Sequence, residues 1–352
     1  MSKRGKWTAL MLWLAIAGAA AQPAGPTANP PAQPAIDGII AAFQKHPLVG
    51  LGDYHDVAQE ADFYAALVRD PRFARDVGNV VVEFGSASSQ DIVDRYLAGE
   101  TLPYAELRKI WTDRVSWVPG GARLGYINFF AQVRAVNLGL PANQRIRVLL
   151  GDPPIDWSKV RTKADWLPIL RQRDTHTAAL IEQEILAKNK KALVIFGGTH
   201  FFASPDGGPL QNLGPLIQQA HPGAMFVVSP YAGFNEETCS ARFEDALYNW
   251  PLPALATPVR GTKLEAMLRA PGCHAAPVGR TSEDDIFSGV AGDALLYLGP
   301  ASALRYAPLE PDIYLDANYR AEISRRYEII MGKPLASSTV ESNPSALRPF
   351  RN

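Results

Sequence analysis

Apolar residues recur along this chain with two different spacings. Short continuous runs, rich in β-branched residues, mark strands buried on both faces. Between them lie stretches whose apolar positions fall three and four apart, the spacing of amphipathic helices. The runs predict strands at 48–51, 79–84, 145–150, 192–196, 225–228 and 293–298. The helical spacing predicts helices at 36–44, 57–68, 89–97, 103–110, 127–136, 166–190, 213–220 and 311–330. Strand and helix alternate five times over, which defines an α/β fold: a mostly parallel central sheet with helices on both faces. The alternation fades between Tyr231 and Gly292, where Pro and Gly are frequent, and an irregular insertion is expected at about 232–291.

The ends read differently. Lys3, Arg4 and Lys6 precede an apolar run from Trp7 to Ala17 and the small residues Ala19, Ala20 and Ala21, so residues 1–21 are expected to be a signal peptide. That run is shorter than the roughly 20 residues of a spanning helix, so no integral membrane segment is expected in the mature form. Residues 22–35 are expected to be a disordered Pro/Ala/Gly-rich linker, 36–331 a single α/β domain, and 332–352 a loose tail. The expected destination is outside the cytoplasm, periplasmic or secreted. Only two cysteines occur, Cys239 and Cys273, and in an oxidising compartment such a pair is expected to form a disulfide. Lys and Arg number 35 and Asp and Glu also 35, a balance that argues against nucleic acid as a partner.

The candidate chemistry sits at strand ends. Asp53 and His55 follow the first predicted strand, Glu83 ends the second, Asp152 follows the third and His200 the fourth. In a parallel sheet these ends share one edge, where ligands bind. An acid after the run Val80-Val81-Val82 is desolvated, so Glu83 needs a partner or a task. A histidine beside carboxylates can act as a general base toward water, or the same set can ligate a divalent metal. Both routes stay open on residue type alone, as do plainer roles: Asp53 and Asp56 as helix caps, Asp152 as a turn former. The sequence has no Gly-x-Ser-x-Gly elbow, no phosphate-binding Gly-rich loop and no Cys-x-x-Cys-His, which argues against a serine hydrolase, a nucleotide enzyme and covalently attached haem.

Gly52-Asp53-Tyr54-His55, the Val-Val-Val-Glu83 strand end with the downstream segment from Gln90 to Gly99, and Gly197-Gly198-Thr199-His200 together resemble the erythromycin esterase/ChaN/Tiki superfamily. The resemblance covers about residues 36–231. It implies one of two activities: an exported hydrolase acting on a small-molecule or peptide substrate, or a haem- or metal-binding protein of iron uptake without turnover. By matching position it implies His55, Glu83 and His200 as catalytic residues, or as ligands if a metal is bound. Asp53 and Asp152 would support them, Asp53 standing where many relatives carry Glu. Arg123, in a Gly-rich loop, is the candidate for binding an anionic substrate group.

Overall fold

The computed structural model describes residues 26–115, 123–203, 212–273 and 292–336. The expected signal peptide, most of the loop before Arg123, much of the insertion and most of the C-terminal tail lie outside the described residues. Eight strands form one sheet: β1 (Gln33–Pro34), β2 (Leu48–Asp53), β3 (Asn79–Ser86), β4 (Arg147–Asp152), β5 (Ala192–Gly197), β6 (Met225–Pro230), β7 (Ala254–Ala256) and β8 (Ala294–Tyr297). Their order across the sheet is β1-β7-β8-β6-β2-β5-β3-β4. All pairings from β8 to β4 are parallel, while β7 lies antiparallel between β1 and β8.

The central strands are buried on both faces, and their residues alternate between two cores as strand geometry requires. Val80, Val82, Leu193, Ile195, Val49 and Leu51 join the core beneath helices Ala58–Arg69, Gln90–Ala98 and Leu124–Leu138. Val81, Val194, Phe196 and Leu48 join the opposite core, with Ile181 of helix Arg173–Glu184 and Ile217 of helix Leu213–Ala220. Among the described residues no helix is long and apolar enough to cross a membrane.

Three sequence expectations are corrected. The single helix expected at 166–190 is two, Lys163–Leu170 and Arg173–Glu184. Pro168, inside the first, has no backbone N–H to continue the ladder, and the helix stops two residues later. The closing helix at 311–330 is likewise two, Asp312–Leu315 and Ala317–Met331, because the Asp316 carboxylate accepts from Asn318 and Tyr319 N–H (3.0 Å each) and starts the second. The described part of the 22–35 linker is not disordered throughout. Gln33 and Pro34 pair with Leu255 and Ala254, and Thr27 exchanges backbone hydrogen bonds with Gly261 and Lys263.

The insertion carries more order than its composition suggests: helix Glu237–Asp245, strand β7 and helix Lys263–Leu268, packed around Tyr231, Phe243 and Leu264. Cys239 and Cys273 are bridged, closing a separation of 34 residues. On the chain-entropy account, replacing both cysteines by serine is expected to cost about 3–4 kcal/mol of stability, read as a lower urea midpoint with unchanged slope. An unchanged midpoint would show that the bridge constrains nothing the rest of the fold does not already hold.

Candidate active site

Because β2, β5, β3 and β4 are consecutive in the sheet, their carboxyl ends place Asp53, Gly197, Glu83 and Asp152 side by side. Asp53 has the same strand parity as Val49 and Leu51 and meets the helices of that face. Its carboxylate accepts from Tyr64 OH (2.9 Å, Oδ1), Tyr126 OH (2.6 Å, Oδ2) and His55 Nδ1 (2.8 Å, Oδ2). The resulting pull on His55 is strong. Burial opposes its cation, but the carboxylates of Glu83 and Asp53 outweigh that and push the imidazole from 6.5 up to about 9. The side chain remains 46% exposed, so the charged ring faces the solvent side of the site.

Glu83 is held from the other face. The β3–β4 register shifts between Val82 and Ser86, a local bulge that takes Glu83 out of the ladder and re-aims it. Arg173 Nη1 donates to its Oε1 (3.0 Å) and the Gly197 N–H to its Oε2 (2.6 Å). Burial acts to raise the Glu83 carboxyl, yet His55, Arg173 and His200 prevail and hold it well below the usual range. The Arg173 guanidinium also pairs through Nε with Asp152 (2.8 Å), which is fully buried and takes the Val115 N–H on its other oxygen (3.1 Å). Burial, ahead of the opposing pull of Arg173, raises the Asp152 carboxyl.

His200 completes the set. Its Nδ1 lies 2.6 Å from Asp174 Oδ1, and its Nε2 lies 3.8 Å from Glu83 Oε1. Each of the two histidines therefore has its Nδ1 fixed by an aspartate, which leaves Nε2 to face the space between them. Gly197 keeps the space between them open: a Cβ there would sit 3.1 Å from His55 Nε2 and 3.3 Å from Glu83 Oε2. No residue but glycine leaves that floor clear.

Behind Asp53 runs a buried relay. Glu60 accepts from the Tyr54 N–H (2.9 Å) and meets Tyr64 OH (2.9 Å). Burial, and after it the Asp53 charge, pushes Glu60 well above the ordinary carboxyl range. Tyr64 has one hydroxyl proton and two carboxyl neighbours. It serves both when Glu60 supplies a proton, which orders the chain Glu60 to Tyr64 to Asp53 to His55.

His55, Glu83, His200, Asp53 and Asp152 lie together at one edge of the sheet, as their strand-end positions predict. Two further residues join them. Arg173 and Asp174, which fall inside the single helix expected at 166–190, are the partners of Glu83, Asp152 and His200. With one helix expected over 166–190, Arg173 falls in its interior, and only the break at Arg171 and Gln172 makes it the first residue of a helix. Arg123 is not free for an anionic substrate. It pairs with Asp56 (3.3 Å) and donates to the Ala307 carbonyl (2.8 Å), fastening the 306–309 segment. The metal reading of His55, Glu83 and His200 does not fit the donors either. Both Glu83 oxygens are already engaged, one by the Arg173 cation, and among the described residues no group of three or more His, Cys, Asp or Glu is placed to hold a metal ion.

No family model matches the chain, and no curated protein does. Among solved structures it is similar to a Bacillus cereus protein at 13% identity and a TM-score of 0.49, over 78% of this chain and 93% of that one. It is also similar to the type III effector HopBA1 (15%, TM-score 0.37, 60% and 89%). A third is ChaN of Campylobacter jejuni, which binds haem cofacially (13%, TM-score 0.34, 56% and 86%). Likeness of this degree leaves the chemistry to be argued from the site.

Removing the guanidinium tests the charge arrangement. Arg173→Met strands two buried carboxylates and is expected to cost about 3–5 kcal/mol at pH 7. Glu83 is depressed in the fold, so its stabilisation is present above about 4.5 and lost as pH falls through the folded value. In wild type, stability should therefore decline below pH 4.5, and Arg173→Met should flatten that decline. Equal stability of the two proteins at pH 7 would contradict the assignment.

Proposed function

We propose that this protein is an exported hydrolase of the erythromycin esterase/ChaN/Tiki superfamily that cleaves an ester or amide of a small molecule or peptide. The observation that carries the reading is the pair of His–Asp couples, His55–Asp53 and His200–Asp174, facing one another across Glu83 and the open floor at Gly197. Their roles are not the ones the sequence suggests. His55 titrates near 9, so at neutral pH it is an imidazolium and cannot be the general base expected of it. It serves instead as the electrophile, donating from Nε2 to the oxygen on which charge develops.

His200 is then the base. Its Nε2 takes a proton from water, the water oxygen attacks the carbonyl carbon, and the oxyanion is held by His55. When the tetrahedral species collapses, the same proton passes from His200 to the departing oxygen or nitrogen. Asp174 orients His200 throughout, and Glu83 stays ionised, balancing the charges of His55 and Arg173. Export is part of the proposal, and the bridged Cys239–Cys273 pair supports it, since such bridges persist in oxidising compartments. Haem binding without turnover finds no comparable support. The apolar pocket beside the site has a void of about 50 Å³, against roughly 300–1,000 Å³ for typical ligand pockets.

The test is a screen of ester and peptide-amide substrates with wild type, His55→Ala and His200→Ala, folding checked by circular dichroism. Each variant is expected to lose about 10²- to 10⁴-fold in kcat/KM. In wild type the rate should fall as pH rises through about 9, where His55 loses its proton. Full activity in both folded variants, or an undiminished rate at pH 10, would refute the assignment.

A further inference from the structure

The chemistry just described leaves unused an apolar pocket directly beside it. Gly52, which precedes Asp53, and Gly198, which follows Gly197, line it, so it borders the turns that carry both histidines. Phe201, Tyr231, Val259 and Leu268 are among the other residues that line it. The Tyr231 hydroxyl is turned away to Glu244 (2.8 Å) and leaves its ring as lining. Glycine at 52 is required for this shape, because a Cβ there would come within 2.8 Å of Pro230.

Resting on the hydrolase reading, we propose that this pocket is the acyl subsite and that the substrate carries an unbranched aliphatic group of about three or four carbons next to the scissile carbonyl. Size sets the length. The void of about 50 Å³ holds roughly three to five water-sized spheres, each needing about 10–15 Å³. The route out sets the side. The pocket is small and largely apolar, whereas His55 is half-exposed, so the acyl chain is retained inside and the leaving group departs past His55 to solvent. The strapped insertion supplies part of the wall. Val259 follows β7, and Leu268 ends the helix that leads to Cys273. That segment, which contributes nothing to the acid–base couples, thereby selects the substrate.

The experiment compares p-nitrophenyl acetate, butyrate and octanoate on wild type, Leu268→Ala and Leu268→Trp, each checked for folding. The readout is the ratio of kcat/KM between chain lengths, not the rate itself. One methylene in an apolar pocket is worth about 10- to 200-fold. Wild type is expected to favour butyrate over octanoate by at least tenfold. Leu268→Ala should shrink that ratio at least tenfold, and Leu268→Trp should lower butyrate relative to acetate by as much. Identical ratios in all three proteins would overturn the subsite. If wild type hydrolyses neither these esters nor any peptide amide of the screen, the hydrolase reading fails, and the pocket is then tested alone with butan-1-ol. Methyl NMR shifts at Val259 that appear in wild type but not in Leu268→Trp would keep the pocket as an aliphatic site, and their absence in wild type would overturn it.

Discussion

The site depends on one buried carboxylate. Glu83 lies in the last half of a strand that is buried along its whole length, where an unpaired negative charge is prohibitive. Its partners account for most of what surrounds it. Arg173 reaches it from the second helical layer, the Gly197 N–H from the neighbouring strand, and His55 and His200 lie close enough to feel its charge. The charge that makes Glu83 expensive to bury is the same one that raises His55 to about 9 and makes it an acid at neutral pH.

The two faces of the sheet share the work of holding this arrangement. Tyr64 and Tyr126, from helices on one face, fix Asp53 and through it His55. Arg173 and Asp174, from a helix on the other, fix Glu83, Asp152 and His200. The strand-end turns, not the helices, carry the groups assigned to the reaction, while the helices set their orientation and charge.

Much of this was legible in the sequence, for physical reasons. Continuous β-branched runs and three-and-four spacing mark buried strands and their helices, and strand-end Gly followed by His or Asp marks the edge where ligands bind. What stayed hidden were partnerships across long separations. Nothing near Glu83 in sequence announces Arg173, 90 residues away. Asp174 falls inside the single helix expected at 166–190 because the break at Arg171 and Gln172, which places it at the sheet edge, leaves no Gly or Pro at the break itself. The charge of His55 is hidden in the sequence for a related reason. Residue type gives an ordinary histidine, and only the positions of Glu83 and Asp53 turn it into a cation. Strand β7 escaped because three residues, Ala254-Leu255-Ala256, between prolines carry no period to read.

The account stands or falls on the charge of His55. Nitrogen-15 NMR of the imidazoles in the intact protein at pH 7 reads it directly, without any substrate. The account predicts that both His55 nitrogens are protonated, with the signal moving to the neutral form only near pH 9. A neutral His55 ring at pH 7, with one bare nitrogen, would contradict it and return the base to the first histidine turn.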